Sequence, residues 1–207
     1  SGTLDAKIKE GDTIAVPGDY PTIQEAIDAA VSGVTILVDQ GQYDENVAFY
    51  NKSIVLRGSG SDNTIINGEG AEFPTISVQD SGRLILRDFT ITGGTHGVYA
   101  KGNCHIEIYN STIVNNSRNG VRIRLSSSAK LYNSLLCLNH ENGLQVSYSS
   151  SAEAYQCTFS ENLNTGVQVL GSSSAALENN QISGNQRSGL DVTLGSEADL
   201  WTGNTIS

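Results

Sequence analysis

Hydrophobic and polar residues alternate along most of this chain in short runs, which is the period of a β-strand. Three kinds of run follow one another in a fixed order, and each kind returns 23 residues later. Val121 and Ile123 belong to the first kind, and Ala129 and Leu131 belong to the second. The third kind has one apolar residue, such as Leu136. Strands this short cannot form a sheet within one repeat, so we expect each to pair in parallel with its equivalent in the next repeat.

The same 23-residue period appears in residues that favour turns. Glycine recurs at Gly97, Gly120, Gly143, Gly166 and Gly189. Two amide series run in phase with it, namely Asn116, Asn139, Asn162 and Asn185, and Asn110, Asn133, Gln156 and Asn179. We expect the glycines to occupy a positive φ or a tight corner. We expect both amide series to stack at corners as hydrogen-bonded ladders along the axis.

A repeat of fixed length indicates stacked supersecondary units. The pattern predicts an all-β fold, a single-stranded right-handed parallel β-helix with three strands in each turn of about 23 residues and about seven turns. An α-solenoid is the alternative, but the apolar runs are too short and too rich in Ser, Gly and Asn for helices. The early turns are irregular, and the regular winding begins near Phe89.

The N-terminal segment has a different pattern. Thr13 to Val16 resembles a short strand, and Thr22 to Glu25 forms a capping-box sequence ahead of apolar residues at helical spacing. We expect a helix from Ile23 to about Ala30 that covers the first turn. The predicted division is residues 1–33 for the strand and capping helix and residues 34–207 for the β-helix, as one continuous domain. We expect the solenoid to be truncated at its C-terminal end, where an uncapped turn would allow end-to-end self-association.

Composition narrows the functional classes. The 207 residues carry a net charge of −10, which disfavours nucleic acid as a partner, and no apolar run is long enough to predict membrane insertion. Cys104, Cys137 and Cys157 fall at different phases of the repeat, which predicts three free thiols. No Cys or His spacing indicates a metal site, so neither a metal nor another cofactor is predicted.

Several segments resemble the pectin-lyase-like superfamily. They are Asp19-Tyr20-Pro21-Thr22-Ile23-Gln24-Glu25-Ala26-Ile27, Gly41-Gln42-Tyr43-Asp44-Glu45 and Ile54-Val55-Leu56-Arg57-Gly58-Ser59-Gly60. The N-terminal part is similar to pectin methylesterases. Later repeats such as Asn142-Gly143-Leu144-Gln145-Val146 resemble NosD-type proteins and the carbohydrate-binding and sugar-hydrolase repeats. The resemblance covers nearly the whole chain and implies the β-helix fold. It does not identify one reaction, since this architecture carries lyases, hydrolases, esterases, epimerases and inert stalks.

The catalytic motifs of these relatives are missing at the matching positions. Where pectin methylesterases have Gln-Ala-Val-Ala and Gln-Asp-Thr, this chain has Gly97-Val98-Tyr99-Ala100 and Arg118-Asn119-Gly120. The line on which polygalacturonases place their aspartates contains only Glu141 here, although glycoside hydrolysis by the usual route needs two carboxylates. The resemblance to pectate lyases is the only ground for expecting a calcium ion. The sequence therefore leaves enzyme activity open and leans against it.

The fixed period aligns outward-facing residues into rows. One predicted row is Tyr99, Arg122, Gln145, Gln168 and Asp191, and its neighbour is Lys101, Arg124, Ser147, Leu170 and Thr193. Lys101, Arg122 and Arg124 should form a basic patch, in which arginine would clamp the carboxylate of a uronate. The candidate substrate-binding residues are Tyr99, Lys101, Arg122, Arg124 and Gln145. The alternative is an ordinary solvated strand face of mixed charge.

A second predicted row is aromatic and contains Tyr109, Tyr132 and Tyr155, with Trp201 two turns further on. Beside it run Glu107, Lys130 and Glu153, which should pair across neighbouring strands. The tyrosines would either pack against sugar rings or stabilise the sheet by stacking on one another.

Together these patterns predict a non-catalytic extracellular or cell-surface module with a structural or carbohydrate-binding role. One alternative is a lyase or epimerase that acts on uronate-type polysaccharides through the basic face. The other is a stalk that binds protein.

Overall fold

The computed structural model describes residues 8–68, 70 and 72–207. The irregular first part contains one helix and nine strands: β1 (Thr13–Val16), α1 (Ile23–Ala29), β2 (Val34–Val38), β3 (Gly41–Asp44), β4 (Val47–Tyr50), β5 (Ser53–Arg57), β6 (Thr64–Asn67), β7 (Ile76–Gln79), β8 (Arg83–Arg87) and β9 (Thr90–Thr92). The regular part begins with β10, close to the predicted start of regular winding.

The regular part repeats three strands in a constant order. They are β10 (Val98–Lys101), β11 (His105–Tyr109), β12 (Thr112–Val114), β13 (Val121–Arg124), β14 (Ser128–Tyr132), β15 (Leu135–Cys137), β16 (Leu144–Ser147), β17 (Ser151–Tyr155), β18 (Thr158–Ser160), β19 (Thr165–Leu170), β20 (Ser174–Glu178), β21 (Gln181–Ser183), β22 (Ser188–Val192), β23 (Glu197–Leu200) and β24 (Thr205–Ile206).

The strands stack into three parallel sheets that run the length of the molecule. Sheet 1 has the order β1-β2-β5-β8-β11-β14-β17-β20-β23, sheet 2 has the order β4-β7-β10-β13-β16-β19-β22, and sheet 3 has the order β3-β6-β9-β12-β15-β18-β21-β24. Each strand pairs with its equivalent one turn away, such as Val98 with Val121 and Val121 with Leu144. The predicted parallel β-helix is confirmed, and its eight-stranded sheet 3 corresponds to about eight turns, where the sequence predicts about seven.

Alternation of inward and outward residues builds a thin core between the sheets. Inward side chains such as Ile123, Leu131 and Leu136 are fully buried, one from each sheet. Phe89 and Phe159 are the largest fully buried side chains. The buried apolar residues form one cluster that follows the axis. Because every turn contributes a few small or branched side chains, a chain with only 38% hydrophobic residues still fills this interior.

Helix α1 lies against the N-terminal turn, as predicted. It buries Ile23, Ala26 and Ile27 and ends at Ala29, one residue earlier than expected. The backbone N–H of Glu25 donates to the Thr22 hydroxyl at 3.1 Å, which is the capping bond that the sequence predicts. The first N–H groups are satisfied by a more distant residue, because the carboxylate of Glu45 accepts from the N–H of Ile23 at 2.9 Å.

One predicted amide ladder is confirmed. The Asn116 side-chain amide donates to Asn139 Oδ1 at 2.9 Å, Asn139 donates to Asn162 at 3.0 Å, and Asn162 donates to Asn185 at 2.9 Å. The same oxygens accept backbone N–H groups from the preceding turn, for example from Asn116 at 3.2 Å. Buried backbone donors are thereby satisfied at every turn of this corner.

The ladder predicted for the other amide series is wrong. Asn110, Asn133, Gln156 and Asn179 are exposed and have φ values of 48°, 47°, 54° and 54°. A left-handed corner favours a short polar residue whose side chain points to solvent. The inward hydrogen bonds come from the next residue along the chain. For example, the Ser134 hydroxyl accepts from the Ser111 N–H at 3.3 Å, and Asn180 accepts from the Cys157 N–H at 2.8 Å.

The repeated glycines mark a close approach between turns. A Cβ on Gly143 would lie 2.7 Å from the carbonyl oxygen of Gly166, and Gly120 meets Gly143 in the same way. The sequence allowed either a left-handed φ or a tight corner at these glycines. None of them has a left-handed φ, so the tight corner is the correct alternative.

The cysteine prediction is also confirmed, since Cys104, Cys137 and Cys157 are free thiols.

Candidate functional site

The basic face lies on the outer side of sheet 2, where the register brings the predicted residues together. Arg122 in β13 lies between Tyr99 in β10 and Gln145 in β16. Arg124 lies beside Lys101 in the neighbouring row. Three cations therefore occupy adjacent positions on two neighbouring strands of a protein whose net charge is −10.

The Nε atoms of the two arginines of this face lack acceptors among the described residues. Each arginine is half-buried, and its Nε atom is shielded from solvent. The Arg124 guanidinium lies 4.8 Å from the centre of the Tyr148 ring, which gives it a cation–π contact. Burial lowers the pKa of Arg122, and the nearby Arg124 lowers it further. The face therefore presents desolvated N–H groups that favour an anionic ligand.

His96 is a member of this cluster that the sequence analysis did not select. It lies in the turn before β10, is only 5% exposed and stacks on Tyr99 with ring centroids 5.5 Å apart. Its Nε2 lies 3.4 Å from Arg122 Nη1, and its Nδ1 accepts the backbone N–H of Asn119 at 3.3 Å. Burial lowers the pKa of His96 to about 3, with further lowering by Arg122, Arg118 and Arg124. The imidazole is therefore neutral at neutral pH.

Glu141 supplies a carboxylate at the border of the basic face. It accepts from Arg118 Nε at 3.1 Å and from the side-chain amide of Asn119 at 3.0 Å. Arg118 is thereby paired, whereas Lys101, Arg122 and Arg124 form no ion pair with the described residues. The positive charge on the outer face of sheet 2 is left uncompensated by direct contact.

Gln145 continues the row of Arg122 as part of an amide chain. Its Nε2 donates to Gln168 Oε1 at 2.7 Å, and Gln168 Nε2 donates to Asp191 Oδ2 at 3.1 Å. The register predicted for this row is confirmed. Beyond Arg122, this row therefore consists of uncharged hydrogen-bonding groups and then one carboxylate, and these residues form the border of the basic face.

The aromatic row lies on sheet 1, apart from the basic face. Tyr109 and Tyr132 stack with centroids 4.7 Å apart, Tyr132 and Tyr155 stack at 5.1 Å, and Trp201 tilts onto Tyr155 at 6.0 Å. The Arg87 guanidinium covers the other side of Tyr109 at 3.8 Å. Because the ring faces contact one another, this geometry favours the stabilising role over a platform for sugar rings.

Charged neighbours hold this row in place. The hydroxyls of Tyr109 and Tyr155 donate to Glu107 and Glu153, each at 2.6 Å. The pKa of Tyr109 is raised to about 12, mainly by burial and then by Glu107, and the pKa of Tyr155 is raised to about 12, mainly by its bond to Glu153. Lys130 pairs with Glu153 at 3.0 Å, as the charge pattern predicts, whereas Glu107 pairs with Arg83 at 3.1 Å instead of with Lys130.

Among the described residues, no three His, Cys, Asp or Glu side chains come together in a way that could hold a metal ion. In the same part of the chain, no helix has the length and apolar character needed to cross a membrane.

Residues 50–207 match the family model of the right-handed beta helix region. The chain belongs to the right-handed β-helix family. The match covers the regular turns and the basic face, and the predicted right-handed winding and pectin-lyase-like fold are confirmed. No curated protein matches the sequence.

Solved structures of this right-handed β-helix protein's fold include carbohydrate-active enzymes. The pectate lyase Pel9A superposes with a TM-score of 0.71 at 16% identity, over 86% of this chain and 55% of that enzyme. The pectin methylesterase from carrot gives 0.62 at 16% identity, over 93% and 65%. The Agl-KA catalytic domain gives 0.62 at 17% identity, over 95% and 46%. The chain thus spans between about half and two thirds of each structure, and identities this low show the fold alone.

Proposed function

We propose that this β-helix is a non-catalytic carbohydrate-binding module of an extracellular or cell-surface protein, and that sheet 2 binds an acidic polysaccharide. The observation that carries the proposal is the cluster of Lys101, Arg122 and Arg124 on adjacent strands, in which two buried guanidinium Nε atoms lack acceptors. Desolvated donors without partners are costly, and an anionic ligand removes that cost. A repeating uronate polymer would present one carboxylate per sugar to such a surface.

The chemistry of the neighbouring residues supports a sugar rather than a small inorganic anion. Tyr99 lies next to Arg122 in the row and provides an apolar ring, while Gln145 provides amide groups on the other side. Carbohydrate sites commonly combine an aromatic contact with hydrogen bonds to hydroxyl groups. Two solved enzymes with this fold carry pectin or pectate in their names. An acidic polymer of this type is an extracellular ligand, which motivates the proposed location.

The non-catalytic part of the proposal rests on the groups beside the cluster. Glu141 is the nearby carboxylate, and it is engaged by Arg118 and Asn119. Hydrolysis of a glycosidic bond by the usual route uses a pair of carboxylates on either side of the bond. The neutral His96 donates or accepts hydrogen bonds but carries no charge at neutral pH. These features favour binding over bond cleavage.

A glycan-binding screen that includes polygalacturonate and alginate tests the proposal. We expect the wild-type protein to bind uronate polymers, and the Arg122→Ala/Arg124→Ala double variant to lose most of this binding. The matched control is Arg57→Ala/Arg83→Ala, which removes the same charge from sheet 1, where both side chains are more than half exposed. This control should bind normally, because exposed ion pairs contribute little to stability.

Three results would change the proposal. Equal losses in both double variants would mean that overall charge, rather than the sheet 2 cluster, controls binding. No binding to any glycan would overturn the carbohydrate proposal and leave the stalk that binds protein. An ultraviolet absorbance assay on the same polymers detects unsaturated uronates. Their formation would overturn the non-catalytic proposal in favour of the lyase alternative.

A further inference from the structure

His96 occupies one rung of a second ladder, which runs beside the glycine corner. The backbone N–H of Thr165 donates to Asn142 Oδ1 at 3.1 Å, and the N–H of Asn142 donates to Asn119 Oδ1 at 3.2 Å. One turn earlier, the N–H of Asn119 donates to His96 Nδ1 at 3.3 Å. The histidine nitrogen therefore stands where the other turns have an amide oxygen.

This position fixes the tautomer of His96. A backbone N–H can only donate, so Nδ1 must keep its lone pair. The orientation of Asn119 is fixed in the same way, since its oxygen accepts from both the backbone and the side chain of Asn142, the latter at 2.8 Å. A neutral imidazole with unprotonated Nδ1 carries its proton on Nε2. The lowered pKa of His96 agrees with the neutral form.

The proton on Nε2 creates a conflict with Arg122. His96 Nε2 lies 3.4 Å from Arg122 Nη1, and both groups are then N–H donors that face each other. Neither can satisfy the other, and Arg122 Nε nearby is also without a partner among the described residues. The adjacent carboxylate of Glu141 is already engaged by Arg118 and Asn119. Several donors thus converge at a point where the described residues supply no free acceptor.

We infer that this point binds one oxygen of a ligand carboxylate, held jointly by the Nε2–H of His96 and the guanidinium of Arg122. The inference rests on the proposed function and identifies the part of a uronate that the basic face recognises. A carboxylate oxygen to one side of the line that joins the two nitrogens, at hydrogen-bond distance from each, accepts from both and removes the conflict. Tyr99 stacks on the imidazole at an interplanar angle of 22° and holds the ring in this orientation. His96 is therefore a ligand-contacting residue, although its ring is nearly buried.

The variant that tests this inference is His96→Asn. Asparagine supplies the amide oxygen that this ladder uses in the next two turns, so the N–H of Asn119 keeps an acceptor. The variant lacks the Nε2–H donor. We expect its affinity for a trigalacturonate to fall about tenfold or more, with its thermal unfolding at pH 8 close to that of the wild type. The control is Asn164→Ala, which lies one residue before the ladder position three repeats after His96 and should bind normally.

A second measurement tests the same inference without a variant. Two-bond ¹H–¹⁵N correlation spectra of the wild type should show the Nε2–H tautomer of His96 at pH 7. Addition of sodium acetate, as a minimal carboxylate, should shift the Nε2 resonance, whereas sodium chloride at equal ionic strength should not. An Nδ1–H tautomer, or no response to acetate, would overturn the inference.

The two proposals fail in different ways. If the wild type binds no oligouronate, the proposed function fails, and the acetate titration still decides whether His96 and Arg122 hold a carboxylate. If the wild type binds and His96→Asn binds equally well, the proposed function stands and the inferred contact is overturned. The Nε2–H of His96 would then contact solvent instead of the ligand carboxylate.

Discussion

The free energy of unfolding should depend on pH through His96. Its pKa is about 3 in the folded chain, whereas the ordinary value is 6.5. Between these values the unfolded chain binds a proton that the folded chain does not, so lowering the pH favours unfolding. The contribution is fully present above pH 6.5 and is lost progressively as the pH falls toward 3. Between pH 8 and pH 5 the linkage relation gives a loss of about 2 kcal/mol from this group.

Urea unfolding of the wild type and of His96→Asn at pH 8 and pH 5 measures this contribution. The protein has one tryptophan, so its fluorescence provides one probe and circular dichroism of the sheets provides another. His105, His140 and the carboxylates are present in both proteins, so their titration cancels in the comparison. The wild type should lose about 2 kcal/mol more than the variant on going to pH 5. Parallel losses in the two proteins would refute the assignment of His96 as a buried neutral rung.

Three further predictions concern the amide ladder, the glycine corner and the free cysteines. Asn139→Ala should cost about 3 kcal/mol in urea unfolding, because it leaves buried ladder groups without partners, whereas Asn133→Ala at an exposed corner should cost about 1 kcal/mol. Equal costs would contradict the assignment of the two amide series. Gly143→Ala should cost about 3 kcal/mol in the same assay, because its Cβ would lie 2.7 Å from the Gly166 carbonyl oxygen. A neutral substitution would show that this corner relaxes freely. Cys137 should react with a thiol reagent before the two buried cysteines, and mass spectrometry of early products showing another site first would contradict this order.

The repeat made the register of the regular turns predictable from sequence. An interval that never changes over five glycines requires equivalent residues to stack, and this placed Tyr99 beside Arg122 and Tyr109 beside Tyr132. The side-chain alternation then separated core from surface. The irregular turns before Phe89 were less predictable, because no fixed interval connects their strands.

One error, and one alternative left open, arose because a sequence position does not reveal the sign of φ. Asn110 and its equivalents were assigned to a ladder, although they are the left-handed corner residues. The repeated glycines, such as Gly143, were allowed a positive φ, although they are needed for close contact between turns. Both asparagine and glycine tolerate left-handed backbone, so composition alone does not decide which residue turns the corner.

His96 is not among the residues selected from the sequence, where histidine spacing was considered only for a metal site. It lies one repeat before Asn119 and two repeats before Asn142, so its phase marks it as a substituted ladder position. That signal was available in the sequence. The contact with Arg122 was not, because it depends on the direction of an outward side chain relative to the preceding turn.

The central claim is that the outer face of sheet 2 binds an acidic polysaccharide. Its most direct test is an NMR titration of the isotopically labelled protein with trigalacturonate, followed through the side-chain resonances of arginine and tyrosine. We predict saturable shifts confined to Tyr99, Arg122, Arg124 and their neighbours, with none in the stacked tyrosines of sheet 1. Shifts centred on Tyr109, Tyr132 and Tyr155, or no shifts at all, would contradict it.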